Sequence, residues 1–161
     1  KDQVAILNEN IDALQDAMKW LKRSFHICDE NYNTDELTDE AMDAFEGLTS
    51  RFSRVVDILY SKVFRSLAYL EKGEPLSWID TLLIMEKTGI INSTEDARLI
   101  KELRNDIIHE YLASDMTQLY KEVLLQCPII FNYAHQAFER TNQIKCKCFS
   151  SGDVLCFDDI R

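Results

Sequence analysis

Between residues 104 and 111, the chain concentrates the side chains that phosphodiester chemistry requires. The segment reads Arg-Asn-Asp-Ile-Ile-His-Glu-Tyr. An arginine side chain keeps its positive charge and binds planar oxyanions through paired hydrogen bonds. A histidine side chain can take up or release a proton near neutral pH. Arg104 and His109 therefore make this segment a candidate site for phosphate binding and proton transfer that needs no metal ion.

The spacing of these residues does not by itself bring the arginine and the histidine together. On an ideal α-helix, a separation of five residues leaves Arg104 and His109 about 140° apart. Asn105 and His109 share one helix face, and Arg104 and Tyr111 share another. Arg104 and His109 can converge if the helix is irregular, if the arginine side chain folds across, or if a second copy of the chain completes the site. On the pattern alone, an arginine and a histidine on a helix are usually ordinary surface residues.

The scaffold that positions this segment is predicted to be all-α, because apolar residues recur every three or four positions along most of the chain. We predict helices over about 2–27, 39–72, 76–88, 92–113 and 114–142. Gly73 followed by Pro75 should end the second helix, and Pro128 should kink the fifth. We therefore expect an up-and-down bundle of about five helices over residues 1–142.

Residues 143–161 are expected to form a short irregular C-terminal tail, because the helical period is lost there. The tail could be a small hairpin, a packed irregular segment or a disordered end. Cys146, Cys148 and Cys156 could supply part of a zinc site, but three thiols without a fourth ligand do not make a complete one. We therefore expect no metal and no cofactor. The odd total of five cysteines fits reduced thiols in the cytoplasm.

The net charge of −10 argues against a protein that coats nucleic acid with a broad basic face. It permits a local basic site. Four cations fall within about an 80° arc of the second helix when each residue turns by about 100°: Arg51, Arg54, Lys62 and Arg65. They are a candidate track for an RNA backbone. The alternative is a solvated face with intramolecular ion pairs.

No apolar run approaches the ~20 residues that span a bilayer. No signal-peptide pattern opens the sequence either. We therefore expect a cytoplasmic protein without a membrane segment. His26 and His135 have no partner pattern, and we expect them to be structural or surface residues.

The motif Arg104-Asn105-x-x-x-His109-x-Tyr111 resembles the signature of HEPN-domain proteins. Its His-x-Tyr ending resembles the HepT-like toxins, which are encoded beside MNT-type minimal nucleotidyltransferases. The resemblance implies a dimeric, metal-independent RNA endonuclease with its two motifs facing across the interface. In that interpretation His109 either removes the proton from the ribose 2′-OH or donates a proton to the leaving 5′-oxygen. Arg104 holds the phosphate, and Asn105 positions either Arg104 or His109 by hydrogen bonding.

The same resemblance gives Tyr111 a regulatory role. In MNT/HEPN pairs, the nucleotidyltransferase antitoxin attaches AMP to this tyrosine, which implies such an enzyme as a partner beside the RNA substrate. The chain itself has no Gly-rich phosphate loop, so we do not expect it to be the nucleotidyltransferase. Two alternatives remain open: a non-catalytic HEPN subunit that binds the nucleotidyltransferase, and a helical interaction protein with no role on nucleic acid.

Overall fold

The computed structural model describes residues 2–109 and 113–150. Within these ranges the ordered elements are all helical and no strand occurs, which confirms the all-α prediction. In chain order the elements are α1 (Gln3–Asn31), α2 (Asp39–Ile58), a π-helical segment (Leu59–Phe64), α3 (Arg65–Lys72), α4 (Trp78–Lys87), α5 (Thr94–His109) and α6 (Ala113–Ser150). Because the π-helical segment joins α2 to α3 without a break, these elements form five rods. None of the described helices is long and apolar enough to cross a membrane.

The rod formed by α2 and α3 runs antiparallel to α1. Near one end of the pair, Arg51 donates a hydrogen bond to Ser24. Near the other end, the Asn10 Nδ2 donates to the Ser66 Oγ at 3.0 Å. Side chains also fix the start of α2, where the Thr38 Oγ1 accepts a hydrogen bond from the backbone N–H of Ala41 at 3.2 Å. α2 also contacts α5 and α6, and α6 packs against α1 as well.

The π-helical segment changes the orientation of everything that follows it in the second rod. A π-helical turn holds more residues than an α-helical turn, so it shifts later side chains around the axis by roughly 100° per added residue. Beyond the segment, Leu67 is buried to 1% exposure and Leu70 is partly buried. The predicted helix over 39–72 is confirmed as helical, but it is not uniformly α-helical.

The start of α5, the helix that carries the candidate motif, is fixed by two side chains. The Ser93 Oγ accepts a hydrogen bond from the Asp96 backbone N–H at 3.0 Å, which caps the helix. From α4, the Glu86 Oε2 accepts hydrogen bonds from the Thr94 backbone N–H at 2.7 Å and from the Thr94 Oγ1 at 2.6 Å. These hydrogen bonds lower the pKa of Glu86. The α4–α5 turn contains Gly89 at φ 76°, a conformation that glycine adopts at low cost.

The first helix ends later than the sequence pattern indicates. α1 continues to Asn31, whereas the predicted helix ends at about residue 27. Cys28 explains the extension, because its fully buried side chain continues the apolar spacing of α1.

The last helix also continues past its predicted end at 142, so the boundary between bundle and tail needs correction. α6 runs to Ser150 and stays helical on both sides of Pro128. The Thr141 Oγ1 donates to the Ala137 carbonyl at 2.8 Å within the helix, and Ile144 packs against the core. Ile144 lies at the helical spacing from Thr141, which was the signal for the extension. Residues 151–161 lie outside the described part of the chain.

Candidate functional site

Arg104 lies in a groove between α5 and the rod formed by α2 and the π-helical segment. Its Nη2 donates to the Asp57 Oδ2 at 2.6 Å, and its Nη1 donates to the Asn105 Oδ1 at 3.3 Å. The groove has a volume of about 280 Å³ and is lined by Asp57, Tyr60 and Ser61 on one side and Lys101, Arg104 and Asn105 on the other. The Arg104 side chain keeps 25% of its surface exposed, so an anion can reach the guanidinium from solvent.

Tyr60 from the π-helical segment is the aromatic residue that lines this groove, and further aromatic side chains from the π-helical segment and α4 pack against it. Tyr60 is 1% exposed, and its ring packs on Phe64 and Trp78 with centroid separations of 5.1 Å and 5.6 Å. The Lys101 Nζ lies 4.0 Å from the Trp78 ring centroid, within the range of a cation–π contact. Because π-helical turns occur often at functional sites, the position of this segment beside Arg104 supports the choice of site.

Two polar atoms in the groove have no hydrogen-bond partner among the described residues. They are the Tyr60 hydroxyl and the Arg104 Nε, and both atoms are buried. Burial raises the pKa of Tyr60 well above its ordinary range, so the phenol stays protonated at neutral pH. Both atoms are therefore hydrogen-bond donors, and buried donors normally find a partner.

His109 lies at the last residue of α5 and is exposed. α5 is α-helical throughout, so ideal geometry keeps His109 about 140° around the axis from Arg104. Asn105 connects the two regions, because it accepts the hydrogen bond from Arg104 and lies one turn before His109 on the same exposed face. Two of the three ways to bring Arg104 and His109 together can be compared with this geometry. α5 has no irregularity, and the Arg104 side chain reaches only as far as Asn105. The third way is a second copy of the chain.

Tyr111, the predicted modification site, lies outside the described residues. α5 is described to His109, two positions earlier.

The four predicted RNA-binding cations lie in different surroundings. Arg51 and Arg54 line a groove against α1, together with Trp20. Lys62 is exposed in the π-helical segment, and Arg65 lines another groove that includes Gln3, Tyr69 and Thr81. The predicted 80° arc assumed a uniform α-helix, and the π-helical segment between Arg54 and Arg65 removes that condition. Arg51 and Arg54 line one groove, and Arg65 lines another.

The cysteines fall into two groups. Cys28 and Cys127 are fully buried, and burial raises the pKa of Cys28 to about 11 and that of Cys127 further still. Both thiols therefore stay protonated at neutral pH and unreactive. Cys146 is exposed on α6, Cys148 lies in the last turn of α6, and Cys156 is outside the described residues. In the described part of the chain, no group of three or more His, Cys, Asp or Glu side chains is placed to hold a metal ion.

The two other histidines are both exposed. The His26 Nδ1 lies 3.9 Å from the Glu30 Oε1 on the same helix. His135 is exposed on α6. Neither lines the groove around Arg104.

Five residues of the groove did not emerge from the sequence: Val56, Asp57, Tyr60, Ser61 and Lys101. Lys101 had a detectable signal, since it lies three and four residues before Arg104 and Asn105 on a predicted helix. Asp57 and Tyr60 had none, because they meet α5 only through the packing of two rods that are distant in sequence.

Comparison of the chain with family models, with curated proteins and with solved structures gave no match. The HEPN resemblance therefore depends on the motif at residues 104–111 and on the all-helical scaffold.

Proposed function

We propose that the chain is a cytoplasmic HEPN-type toxin that cleaves RNA as a metal-independent endonuclease. The observation that carries this proposal is the placement of Arg104. Its guanidinium lies in a groove open to solvent, the side chain keeps 25% of its surface exposed, and it is linked through Asn105 to the face that bears His109. This arrangement offers positive charge and hydrogen bonds to a phosphate, while the exposed His109 lies further along the same helix, about 140° around its axis from Arg104.

In the proposed reaction, Arg104 binds the scissile phosphate and stabilises the negative charge that develops on its oxygens. His109 removes the proton from the ribose 2′-OH, and the 2′-oxygen attacks the adjacent phosphorus. The bond from phosphorus to the 5′-oxygen breaks, and that oxygen leaves after it takes up a proton. The products are a 2′,3′-cyclic phosphate and a 5′-hydroxyl end. DNA lacks the 2′-OH and should not react by this route.

A homodimer would complete this chemistry. One copy of the motif supplies one histidine, whereas the reaction needs a proton acceptor and a proton donor. The regular geometry of α5 also keeps His109 away from Arg104 within one chain. A two-fold interface that brings two α5 helices together would supply both histidines and both arginines. Light scattering at micromolar concentration should report a dimer, and an active monomer would refute this step.

The proposed partner is an MNT-type nucleotidyltransferase that silences the toxin by attaching AMP to Tyr111. The physical reason is electrostatic, because Tyr111 lies seven residues from Arg104, and a phosphate group added there would compete for the same guanidinium as the RNA. Mass spectrometry after co-expression with a neighbouring nucleotidyltransferase should find AMP on Tyr111. An unmodified tyrosine in a neutralised complex would point instead to steric blocking.

Growth inhibition provides a direct test of the toxin function. Arg104→Ala and His109→Ala should each relieve the inhibition that the chain causes when expressed alone. Arg98→Ala and His135→Ala are matched controls, because Arg98 and His135 are exposed residues outside the groove. Equal toxicity of all four variants would count against a catalytic role for the motif.

One observation favours a second candidate function, a non-catalytic HEPN subunit that binds a nucleotidyltransferase. Asp57 already occupies one edge of the Arg104 guanidinium at 2.6 Å, so a phosphate must share or displace that contact. In this alternative the ion pair is structural. The purified chain would then bind the nucleotidyltransferase without cleaving total RNA, and Arg104→Ala would lower stability rather than activity.

A further inference from the structure

We propose that a basic surface on α1 and α2, centred on Trp20, binds single-stranded RNA and leads the strand toward the Arg104 groove. We define the Trp20 surface by five residues: Lys19, Trp20, Arg23, Arg51 and Arg54. The choice of RNA as the strand rests on the proposed function.

Trp20 is the aromatic centre of this surface. Its side chain is 46% exposed on α1. Three cations lie around its ring, with distances to the centroid of 5.8 Å for Lys19, 5.7 Å for Arg23 and 5.4 Å for Arg51. Arg54 lines the same groove of about 260 Å³, which lies between the two helices. The hydrogen bond from Arg51 to the buried Ser24 holds one of these guanidinium groups in place.

The surface is basic in a chain whose net charge is −10. α1 has no acidic residue between Asp16 and Asp29, and α2 has none between Glu46 and Asp57. These two facing stretches carry five cations: Lys19, Lys22, Arg23, Arg51 and Arg54. The ion pairs found among the described residues include none of these five. A solvated face neutralised by internal ion pairs therefore does not describe this surface.

Single-stranded nucleic acid matches both properties of the Trp20 surface. Its phosphates would contact the cations, and an unpaired base would stack on the exposed indole ring. A duplex offers the phosphates but keeps its bases stacked inside. An acidic peptide offers charge but no planar base for Trp20. The combination of an exposed aromatic ring and unpaired cations therefore favours a single strand.

The Trp20 surface lies next to the Arg104 groove along α2. Arg51, Arg54 and Asp57 follow one another at intervals of three residues, which correspond to steps of about 4.5 Å along the axis and about 60° around it. Arg54 faces the Trp20 side, and Asp57 holds Arg104 on the other side. A strand bound at Trp20 can therefore cross the outer face of α2 within roughly 9 Å of axial distance and enter the groove.

Fluorescence anisotropy with labelled 12-nucleotide single strands tests the surface. DNA and RNA of the same sequence are both used, because DNA can stack on Trp20 yet lacks the 2′-OH needed for cleavage. Trp20→Ala should weaken binding of both strands by roughly tenfold, the expected effect of losing one stacked base. Arg23→Glu and Arg54→Glu should weaken binding at least as much. Each should also lower the slope of log affinity against log salt concentration by about the value of one phosphate contact.

Matched controls separate this surface from general charge. Lys87→Glu changes the net charge by the same amount at an exposed position on α4, and Leu125→Ala truncates a side chain that is 72% exposed on α6. Both should bind like the wild type. Circular dichroism should show the same helix content for every variant, since each changes an exposed residue.

Three results would overturn the proposal. The first is equal affinity of the wild type and the Trp20, Arg23 and Arg54 variants. The second is preference for duplex over single strand. The third is displacement of the oligonucleotide by polyglutamate at equal charge concentration as well as by unlabelled oligonucleotide, because that would show a site for charge alone.

The outcome can be read independently of the ribonuclease activity. If the wild type cleaves no RNA but Trp20→Ala still lowers DNA binding, the surface stands and the nuclease proposal fails. If cleavage occurs but the surface variants bind both strands normally, the nuclease stands and the surface fails.

Discussion

The Arg104 groove and the Trp20 surface lie on either side of α2, and they hold their cations in different ways. Arg104 is paired with Asp57 at 2.6 Å and contacts Asn105. The cations around Trp20 lie beside an indole ring and form none of the ion pairs seen in the described residues. A carboxylate that fixes a guanidinium sets its direction but lowers its net attraction for anions. The Arg104 groove thus orients a guanidinium, whereas the cations of the Trp20 surface attract anions without a carboxylate that fixes their direction.

The largest expected difference between the two regions comes from replacing arginine by lysine. Arg104→Lys keeps the charge but loses the planar fork that grips Asp57 and a phosphate together, so RNA cleavage should fall by roughly 100-fold. Arg54→Lys should lower oligonucleotide affinity only severalfold, because a backbone phosphate contact needs mainly charge. Initial cleavage rates and anisotropy measure the two effects. Similar losses in both variants would remove the distinction between orientation and attraction.

Stability should separate the two regions next. Tyr60→Ala removes a fully buried ring from the groove wall and should lower the free energy of unfolding by about 3 to 5 kcal/mol, as other aromatic truncations in cores do. Tyr60→Phe should stay within about 1 kcal/mol of the wild type, because the hydroxyl it removes has no partner among the described residues. Trp20→Ala should also be mild, since Trp20 is half exposed. Urea unfolding gives all three values, and a large loss for Trp20→Ala would mean that Trp20 is a core residue.

Replacing Asp57 should make the Arg104 groove attract an oligonucleotide more strongly, as the Trp20 surface does. Asp57→Asn removes the carboxylate that holds Arg104, so oligonucleotide binding should tighten severalfold at low salt while cleavage slows, because the freed guanidinium loses its orientation. Asp43→Asn is the matched control, with the same charge change at an exposed position of α2. If both variants bind equally more tightly, net charge and not the ion pair explains the effect.

The smallest expected effect concerns the start of α5. Hydrogen bonds from Thr94 lower the pKa of Glu86, so the stabilisation from its carboxylate is present at neutral pH and is lost as the pH falls through the lowered value. Glu86→Gln should slightly lower the melting temperature at pH 7, and the difference from the wild type should vanish in strong acid. Glu102→Gln, an exposed change on α5, should show no such pattern. A deficit that persists in acid would mean that Glu86 acts through its shape and not through its charge.

The sequence predicted the helices well, because their signals are local. The spacing of apolar residues and the stop at Gly73 both act within a few residues. The π-helical segment was not predicted, since Leu59–Phe64 also fits an α-helical period, and its packing decides the geometry. That segment also interrupts the uniform α-helical period on which the predicted cation stripe depends.

The candidate site was predicted in part. The motif residues Arg104, Asn105 and His109 were visible because they lie close together in the chain. Asp57, which fixes Arg104, and Trp20, which gathers Arg51, were not visible, because each contact joins residues from different rods. Such contacts depend on how the rods pack, which residue spacing along one helix does not reveal.

Cleavage of an RNA oligonucleotide and its DNA counterpart by the purified wild-type chain, in the presence of a chelator, tests the central claim most directly. The account predicts that the RNA is cut to 2′,3′-cyclic phosphate ends, that the DNA stays intact, and that both Arg104→Ala and His109→Ala abolish cleavage while Arg98→Ala does not. Intact RNA, or cleavage that survives in both motif variants, would contradict it.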